Sequence, residues 1–207
     1  MAGGDTPPAT AVHGPAVTTV WPVRYGEGMV LDGWERVVAS TPLCNLPKLA
    51  ISPNTQGRTN PLTAGKVIGI GHSVGAQLGM LSMDLLDAFV ALAPVTDLPR
   101  THSENLGEGA VKGFMGGQAE DQLTLLERYS PIHQLPLKKP LLLVHGSDDQ
   151  RVPVEHSVSY CTKAASLGDE VDFWRLPHLD HLQAINPEGV HWSRVVEWMR
   201  RRPEQPE

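Results

Sequence analysis

The sequence predicts an α/β fold, a mostly parallel sheet flanked by helices. Short apolar runs rich in valine, isoleucine and leucine alternate with longer segments of helical periodicity along most of the chain. When a strand is followed by a helix and then by another strand of the same sheet, the connection is right-handed and the two strands are parallel. The chain has 207 residues, of which 41% are hydrophobic and 19% charged, and this suits one domain with a sizeable core.

Five segments are expected to form strands. They are short and apolar and end in a turn or loop signal, and they comprise residues 17–24, 66–70, 86–93, 140–145 and 170–176. Pro22 restricts the first segment to an edge or a bulge, because proline has no N–H to donate to a neighbouring strand. The runs KVIGI and PLLLVH are continuously apolar, as strands covered on both faces of a parallel sheet are.

Helices are expected between these strands. The helical segments comprise residues 74–83, 154–166 and the amphipathic 188–201, with shorter helical fragments in the polar stretch 100–135. Residues 34–39 begin a further helix that Pro42 and Pro47 stop early. Residues 52–62 form a loop by composition.

The termini and the charge limit the class of protein. Residues 1–16 are rich in proline, alanine, glycine and threonine, which predicts a disordered leader before a single domain at 17–207. No basic region precedes an apolar stretch at the N-terminus, and no apolar run approaches the roughly 18 residues of a membrane span. Cys44 and Cys161 are isolated, which argues against a disulfide framework. The net charge is −6 and basic clusters are small, so we expect a cytoplasmic protein with no nucleic-acid or membrane partner.

A serine stands in a glycine-flanked turn between a predicted strand and a predicted helix. The segment Gly71–Gly75 reads GHSVG and matches the G-x-S-x-G nucleophile elbow in the context that this motif requires. The turn is so sharp that a Cβ at Gly71 or Gly75 would collide with neighbouring backbone. We therefore predict that Ser73 is a nucleophile and that the backbone N–H of Val74 stabilises an oxyanion.

A nucleophilic serine needs a base, and the base needs an acid to orient it. Asp148 and Asp149 follow the predicted strand 140–145, and His178 and His181 follow the predicted strand 170–176. Each pair lies at the carboxyl end of a strand, where α/β proteins form their sites. Position alone leaves the choice within each pair open. The H-x-x-H spacing of the histidines is also that of some metal sites, but without further ligands nearby we expect neither a metal nor a cofactor.

From residue 17 onwards the chain resembles the α/β-hydrolase superfamily, in the branch of esterases, kynurenine formamidases and prolyl-oligopeptidase-like enzymes. The resemblance is carried by GIGHSVGAQL, by ALAPVTDL, by the stretch 129–157 and by LPHLDHLQAINP. It implies that Asp149, the last residue of H-G-x-x-D, is the acid and that His181 is the base. Asp148 is then the next-best acid, with a role in capping the loop, and His72 and His145 are interpreted as structural or as supporting the reacting residues.

The same resemblance predicts a defect before the elbow. The family's second oxyanion donor comes from an H-G-G loop after the third strand. The only similar residues here are His13, Gly14 and Pro15, and proline has no N–H. Residues 20–35 resemble the fourth strand and its loop, so the fold is expected to be N-terminally truncated or degraded. Either 17–24 pairs with 66–70, or an exposed strand edge invites pairing with a second copy of the chain.

The function predicted from these residues is a serine hydrolase of a small carboxylic ester or amide. Ser73 attacks the carbonyl, His181 transfers the proton, Asp149 orients the imidazole, and residues 100–135 cover the site as a small lid. Two alternatives stay open. One is an arylformamidase, suggested by the resemblance around His181. The other is a non-catalytic pseudohydrolase that binds a partner, suggested by the missing oxyanion loop.

Overall fold

Six parallel strands form one sheet in the order β2-β1-β3-β4-β5-β6. The computed structural model describes residues 16–20, 36–39, 67–107, 109–114 and 123–201. The strands are β1 (Ala16–Val20), β2 (Arg36–Ala39), β3 (Val67–His72), β4 (Ala88–Leu92), β5 (Leu141–Gly146) and β6 (Val171–Leu176). The helices are α1 (Val74–Met80), α2 (Leu98–Ser103), α3 (Ala110–Phe114), α4 (Leu123–Arg128), α5 (Glu155–Ser166) and α6 (Trp192–Arg201). Single 3-10 turns lie at Met83–Leu85, Pro131–His133 and Gln183–Ile185.

Helices cover both faces of the sheet. On one face, alternate residues of β3, β4 and β5 pack against Val195, Trp198 and Met199 of α6. On the other face, the intervening residues of β4 and β5 pack against α1 and α5, with Tyr160 and Ala164 among the contacts. Because successive side chains of a strand point to opposite faces, strands covered on both sides are apolar throughout, and β4 and β5 are buried along their whole length.

Helix α1 packs close to the sheet because its facing residues are small. A Cβ added to Gly79 of α1 would lie 2.0 Å from Cζ of Phe89, and one added to Gly69 of β3 would lie 2.5 Å from Cδ2 of the same ring. The Phe89 ring therefore occupies the volume that these two glycines leave open. This packing determines how closely α1 approaches the sheet. It therefore also determines the position of the turn that precedes α1 at the carboxyl edge of the sheet.

The expected α/β architecture is confirmed, and the strands after residue 66 lie within two residues of their predicted bounds. The helix expected at 154–166 spans Glu155–Ser166, and the terminal helix begins at Trp192. The polar stretch contains the expected helical fragments α2, α3 and α4. Asp97 begins α2, and its side chain accepts the N–H of Arg100 at 3.0 Å, as an N-cap does.

The prediction of a helix beginning at 34–39 is wrong, because residues 36–39 form β2. Val37 and Val38 are β-branched, and both pair with β1. Pairing along a strand edge has overridden the local helical pattern here.

The first strand lies beside the elbow strand. Val17 pairs with Ile68, so the first of the two predicted arrangements is confirmed over the described part of that segment, and β3 is not an exposed edge. Residue 20 belongs to β1, and the rest of the stretch 20–35, interpreted as the fourth strand and its loop, lies outside the described residues. The described residues do not include 1–15, 21–35 and 40–66. The predicted loop 52–62 therefore lies outside them, and so does the predicted leader except for its last residue, Ala16, which begins β1.

Candidate active site

Ser73 alone makes the turn between β3 and α1. Its backbone has φ 56° and ψ −123°, a conformation that residues other than glycine rarely adopt. The turn is held because the Ser73 N–H donates to the carbonyl of Leu92 at 2.9 Å and the Ser73 carbonyl accepts from Gln77 N at 3.1 Å. A Cβ at Gly71 would lie 2.7 Å from the carbonyl oxygen of Gly75, which confirms the collision expected there. The turn is therefore a strained strand-to-helix elbow.

The hydroxyl of Ser73 is not used to cap the helix that follows it. Ser73 occupies the N-cap position of α1, but within the described residues its side chain makes no capping hydrogen bond. A serine at this position normally satisfies a free N–H of the first turn with its hydroxyl. The hydroxyl of Ser73, a half-buried residue, is therefore not committed to the first turn of α1.

Asp149 is buried in the loop after β5, and hydrogen bonds hold both of its carboxylate oxygens. Oδ1 accepts the backbone N–H groups of Arg151 and Val152, each at 2.9 Å. Oδ2 lies 2.7 Å from Nδ1 of His181 and 3.2 Å from Nε2 of His145. Asp148, the other candidate acid, is exposed and accepts the hydroxyl of Ser147. The structure therefore brings Asp149, and not its neighbour, to the ring of His181.

The surroundings of Asp149 favour its charged form. Burial by itself raises the pKa of this carboxyl, but hydrogen bonds from His145, His181 and the Val152 N–H outweigh burial and hold the pKa well below its usual range. The carboxylate is thus ionised at neutral pH. It is an acceptor that can orient an imidazole and stabilise a positive charge on it.

His181 is buried in the loop after β6 and is held from two sides. Its Nδ1 faces Asp149, and its backbone carbonyl accepts a hydrogen bond from Nε2 of His72 at 2.8 Å. The rings of His72 and His181 also contact each other, with centroids 4.5 Å apart and planes inclined by 50°. Because His72 immediately precedes Ser73, this contact places the histidine loop beside the elbow.

The pKa of His72 is lowered to about 4. Burial is the main cause, and the neighbouring His181 adds to it because two positive rings in contact repel each other. His72 is therefore neutral at pH 7, and its Nε2 carries the proton that the His181 carbonyl accepts.

The two loops that carry Asp149 and His181 lie in close contact. Gly146, the last residue of β5, leaves so little room that a Cβ there would lie 1.9 Å from the carbonyl oxygen of Leu179. Backbone hydrogen bonds join the loops at Ser147 N to Leu176 O, 2.8 Å, and at Asp148 N to Leu179 O, 3.2 Å. The acid and the histidine are thus positioned by one rigid pair of loops.

The two histidines of the H-x-x-H pattern do not share a ligand site. His178 is exposed, with its Nδ1 3.6 Å from Oδ2 of Asp148, whereas His181 is buried against Asp149. Over the described ranges, no group of three histidine, cysteine, aspartate or glutamate side chains is placed to hold a metal ion. No helix in the same part of the chain is long and apolar enough to cross a membrane.

Two further histidines contact the Asp149–His181 pair. His72 and His145 were interpreted as structural or as supporting the reacting residues, and both lie in contact with the pair. Their positions carried the only signal, since one is next to Ser73 and the other ends the apolar run of β5 beside its loop. His13, Gly14 and Pro15, the residues considered for a second oxyanion donor, lie outside the described residues.

Comparison with known proteins agrees with this architecture. The sequence pattern of the prolyl oligopeptidase family matches residues 58–202. A protein of Bacillus subtilis (strain 168), described as the uncharacterized peptidase YtmA, is 25% identical over 138 residues, which are 64% of this chain and 54% of that protein. The chain therefore spans about half the length of this relative.

Two solved structures show the same fold. The uncomplexed acylaminoacyl peptidase of Pyrococcus horikoshii superposes with a TM-score of 0.73 at 17% identity, over 97% of this chain and 39% of that one. An acetyl ester-xyloside bifunctional hydrolase from Caldicellulosiruptor lactoaceticus superposes with a TM-score of 0.68 at 18% identity, over 89% of this chain and 81% of that one. These matches establish the α/β-hydrolase fold.

Proposed function

This chain belongs to the prolyl oligopeptidase family, whose pattern covers well over half of it, and we propose that it is a serine hydrolase of small carboxylic esters or amides. The observation that carries the proposal is the Asp149–His181 hydrogen bond of 2.7 Å beside the strained turn at Ser73. The order serine, aspartate, histidine along the chain is that of α/β-hydrolases.

The proposed reaction proceeds through an acyl-enzyme. Asp149 accepts a hydrogen bond from the Nδ1–H of His181, which keeps the proton on Nδ1 and leaves Nε2 of that ring free as the base. Nε2 takes the proton of the Ser73 hydroxyl as the oxygen attacks the carbonyl carbon, and then gives that proton to the departing alcohol or amine. A water molecule, deprotonated by the same nitrogen, hydrolyses the acyl-serine and restores the enzyme.

The oxyanion formed in each step is assigned to the N-terminus of α1. The N–H of Val74 follows the nucleophile directly, which is the position of the first oxyanion donor in this fold. A strained turn holds that N–H in place before substrate binds, so little reorganisation is needed when charge develops on the carbonyl oxygen.

Helices α2, α3 and α4 are proposed to belong to the lid expected at residues 100–135 and to form one wall of the substrate site. Leu98, Val111 and Leu126, from these helices, share a hydrophobic cluster with Val152, and Val74 packs against that cluster. Val74 and Val152 are close in sequence to Ser73 and Asp149 respectively. This contact supports the proposal of a lid beside the reacting groups.

The choice between ester and amide substrates follows from the family only in part. The Bacillus subtilis relative is described as a peptidase, and the Caldicellulosiruptor protein as an acetyl ester hydrolase. Both reactions require the same acyl transfer to serine and differ in the leaving group. Hydrolysis of aryl formamides is a narrower form of this proposal.

The test is covalent labelling with a fluorophosphonate probe, which reacts with an activated serine. We expect the wild type to be labelled at Ser73 and Ser73→Ala to remain unlabelled, while Ser103→Ala, at an exposed serine of α2, labels as the wild type does. His181→Ala should lower kcat for p-nitrophenyl acetate by about 10⁴-fold or more, since the serine then lacks its base. Folded wild-type protein that neither labels nor turns over this ester would contradict the proposal and favour a non-catalytic pseudohydrolase.

A further inference from the structure

A second histidine, His145, lies beside the acid, near the same carboxylate oxygen as His181. The side chain is fully buried, at 0% exposure, near the end of β5. Its Nε2 lies 2.8 Å from the carbonyl oxygen of Val152 and 3.2 Å from Oδ2 of Asp149. Its Nδ1 lies 2.7 Å from the hydroxyl of Ser157 in α5. Every polar atom of this ring therefore has a partner.

The partners determine where the ring carries its proton. Both groups that face Nε2 are acceptors, a carbonyl and a carboxylate, so Nε2 must be the donor. In the neutral ring Nδ1 then has a lone pair, and the hydroxyl of Ser157 is the group that donates to it. The two acceptors thus select the tautomer that carries its N–H on Nε2, and Ser157 stabilises that tautomer by donating to Nδ1.

Donors face both oxygens of the Asp149 carboxylate as a result. Oδ1 accepts two backbone N–H groups, from Arg151 and Val152. Oδ2 accepts the ring N–H of His181 at 2.7 Å, and Nε2 of His145, which donates to the Val152 carbonyl, lies 3.2 Å from the same oxygen. Rotation of the carboxylate would give up these contacts.

We propose that His145, oriented by Ser157, is a positioning residue that holds Asp149 in the orientation and charge state that His181 requires. The inference rests on the proposed serine-hydrolase function. His145 acts through Asp149 and does not touch the reacting atoms. It also ties down the turn that bears Asp149, because the same N–H reaches the carbonyl of Val152, whose own N–H binds Oδ1.

A purely structural role for His145 predicts different behaviour. If the residue only filled the core, a substitution would change stability and leave the Asp149–His181 bond of the folded protein as it was. If His145 positions the acid, loss of its N–H removes a donor from beside Oδ2 of Asp149. The hydrogen bond between Asp149 and His181 then changes even in protein that is fully folded. The two roles therefore differ in a spectroscopic signature of His181.

The experiment compares four variants with the wild type. His145→Leu removes the donor, and His145→Gln keeps an amide N–H near the place of Nε2. Ser157→Ala removes only the hydroxyl that donates to Nδ1 of His145. Ser166→Ala is the matched control on the same helix, because that exposed hydroxyl donates only to Lys163 of α5.

Two measurements are made on each variant. The first is the downfield proton resonance of His181 Nδ1–H in its bond to Asp149, which does not depend on turnover. The second is kcat and KM for p-nitrophenyl acetate. We expect His145→Leu to shift or lose the resonance and to lower kcat about tenfold or more, with KM within about twofold, because one charge-assisted hydrogen bond is lost.

The remaining variants separate the outcomes. We expect His145→Gln to restore most of the signal and rate, Ser157→Ala to lower kcat by about two- to tenfold, and Ser166→Ala to match the wild type. A folded His145→Leu protein with the wild-type resonance and kcat would overturn the inference, and so would a Ser157→Ala protein indistinguishable from Ser166→Ala. If His145→Leu does not fold, Ser157→Ala decides.

A wild type that shows the resonance but is neither labelled by the probe nor able to hydrolyse the ester would overturn the proposed function. A resonance that is sensitive to His145 and Ser157 would still support the positioning role.

Discussion

At the scale of single residues, histidines of different character surround one aspartate. His181 and His145 each have a ring nitrogen near Oδ2 of Asp149. His72 instead contacts His181, because its Nε2 donates to the backbone carbonyl of His181 and the two rings pack against each other. In the proposed reaction, a positive charge on His72 would oppose the imidazolium that forms on His181, because the two rings are in contact. Burial keeps His72 neutral, since its pKa falls to about 4.

Because His72 is buried in its neutral form, we predict that the free energy of unfolding decreases at acidic pH. The pKa of this ring is 6.5 unfolded and about 4 folded, so between these values the unfolded chain binds more protons. Its contribution to the free energy of unfolding is therefore complete above about pH 6.5 and is lost as the pH falls towards 4, by about 1 kcal/mol per pH unit. Urea unfolding of wild type and His72→Gln from pH 7 to 4.5 measures this. The variant should show a shallower slope, and equal slopes would contradict the assignment.

At the scale of elements, the site depends on how closely two loops approach each other. The loop after β5 carries Asp149 and the loop after β6 carries His181, and they meet at Gly146 and Leu179. Each loop is short and anchored by a strand of the sheet, so its backbone cannot move far without breaking the bonds that join the loops. The distance between acid and histidine is therefore a property of two neighbouring strands and their register.

A methyl group at Gly146 should disrupt this geometry more than it disrupts the fold. In Gly146→Ala the new Cβ would meet the Leu179 carbonyl at 1.9 Å, so the histidine loop must move. A displacement of about 1 Å at reacting groups costs about 10²-fold in rate, and we expect kcat to fall by that order.

The control is Gly168→Ala, at the end of α5. Gly168 has φ 77° and no atom within 4 Å of an added Cβ, so alanine is strained there but touches nothing. We expect this variant to lose about 1 kcal/mol of stability and to keep the wild-type kcat. Thermal unfolding and p-nitrophenyl acetate turnover measure both effects. If Gly146→Ala kept full activity, close contact of the loops would not be what positions the histidine.

At the scale of the molecule, the sheet separates two hydrophobic clusters. Helix α6 closes one of them with Val195, Trp198 and Met199, and helices α1 and α5 close the other. Ser73 precedes α1, whereas Asp149 and His181 follow strands of the sheet, so we expect the site to form only when α1 is packed on the sheet.

Truncation of Met199 tests the contribution of the α6 layer. Its side chain is fully buried among the residues of the first cluster. We expect Met199→Ala to lower the free energy of unfolding by about 2–5 kcal/mol, through lost burial and a residual cavity. Val190→Ala, at a side chain that is 94% exposed, should change it by less than about 0.5 kcal/mol. Urea denaturation monitored by tryptophan fluorescence measures both, and equal effects would show that α6 does not close the core.

Much of the fold follows from local patterns. The continuously apolar runs of β3, β4 and β5 mark buried strands, and glycine around Ser73 marks a sharp turn before a helix. The segment at 36–39 escaped the same reasoning, because a four-residue strand holds too few residues to show a period and its pairing with β1 is not local. The lid and a pairing of the sheet edge with a second copy remain predictions.

The sequence by itself determined the α/β class, the elbow at Ser73, and the strand ends from which an acid and a histidine could come. These features follow from the hydrophobic periodicity and from the residues that form turns, both of which depend on only a few neighbouring residues. Sequence position left Asp148 and Asp149 open and only the family resemblance favoured Asp149, whereas the tertiary structure shows that Asp149 meets His181 and that His72 and His145 contact the same pair. Those contacts join residues 32 positions apart for Asp149 with His181, and 109 apart for His72 with His181. Adjacent aspartates look alike along a chain, but the turn that follows β5 buries one side chain and leaves the other in water.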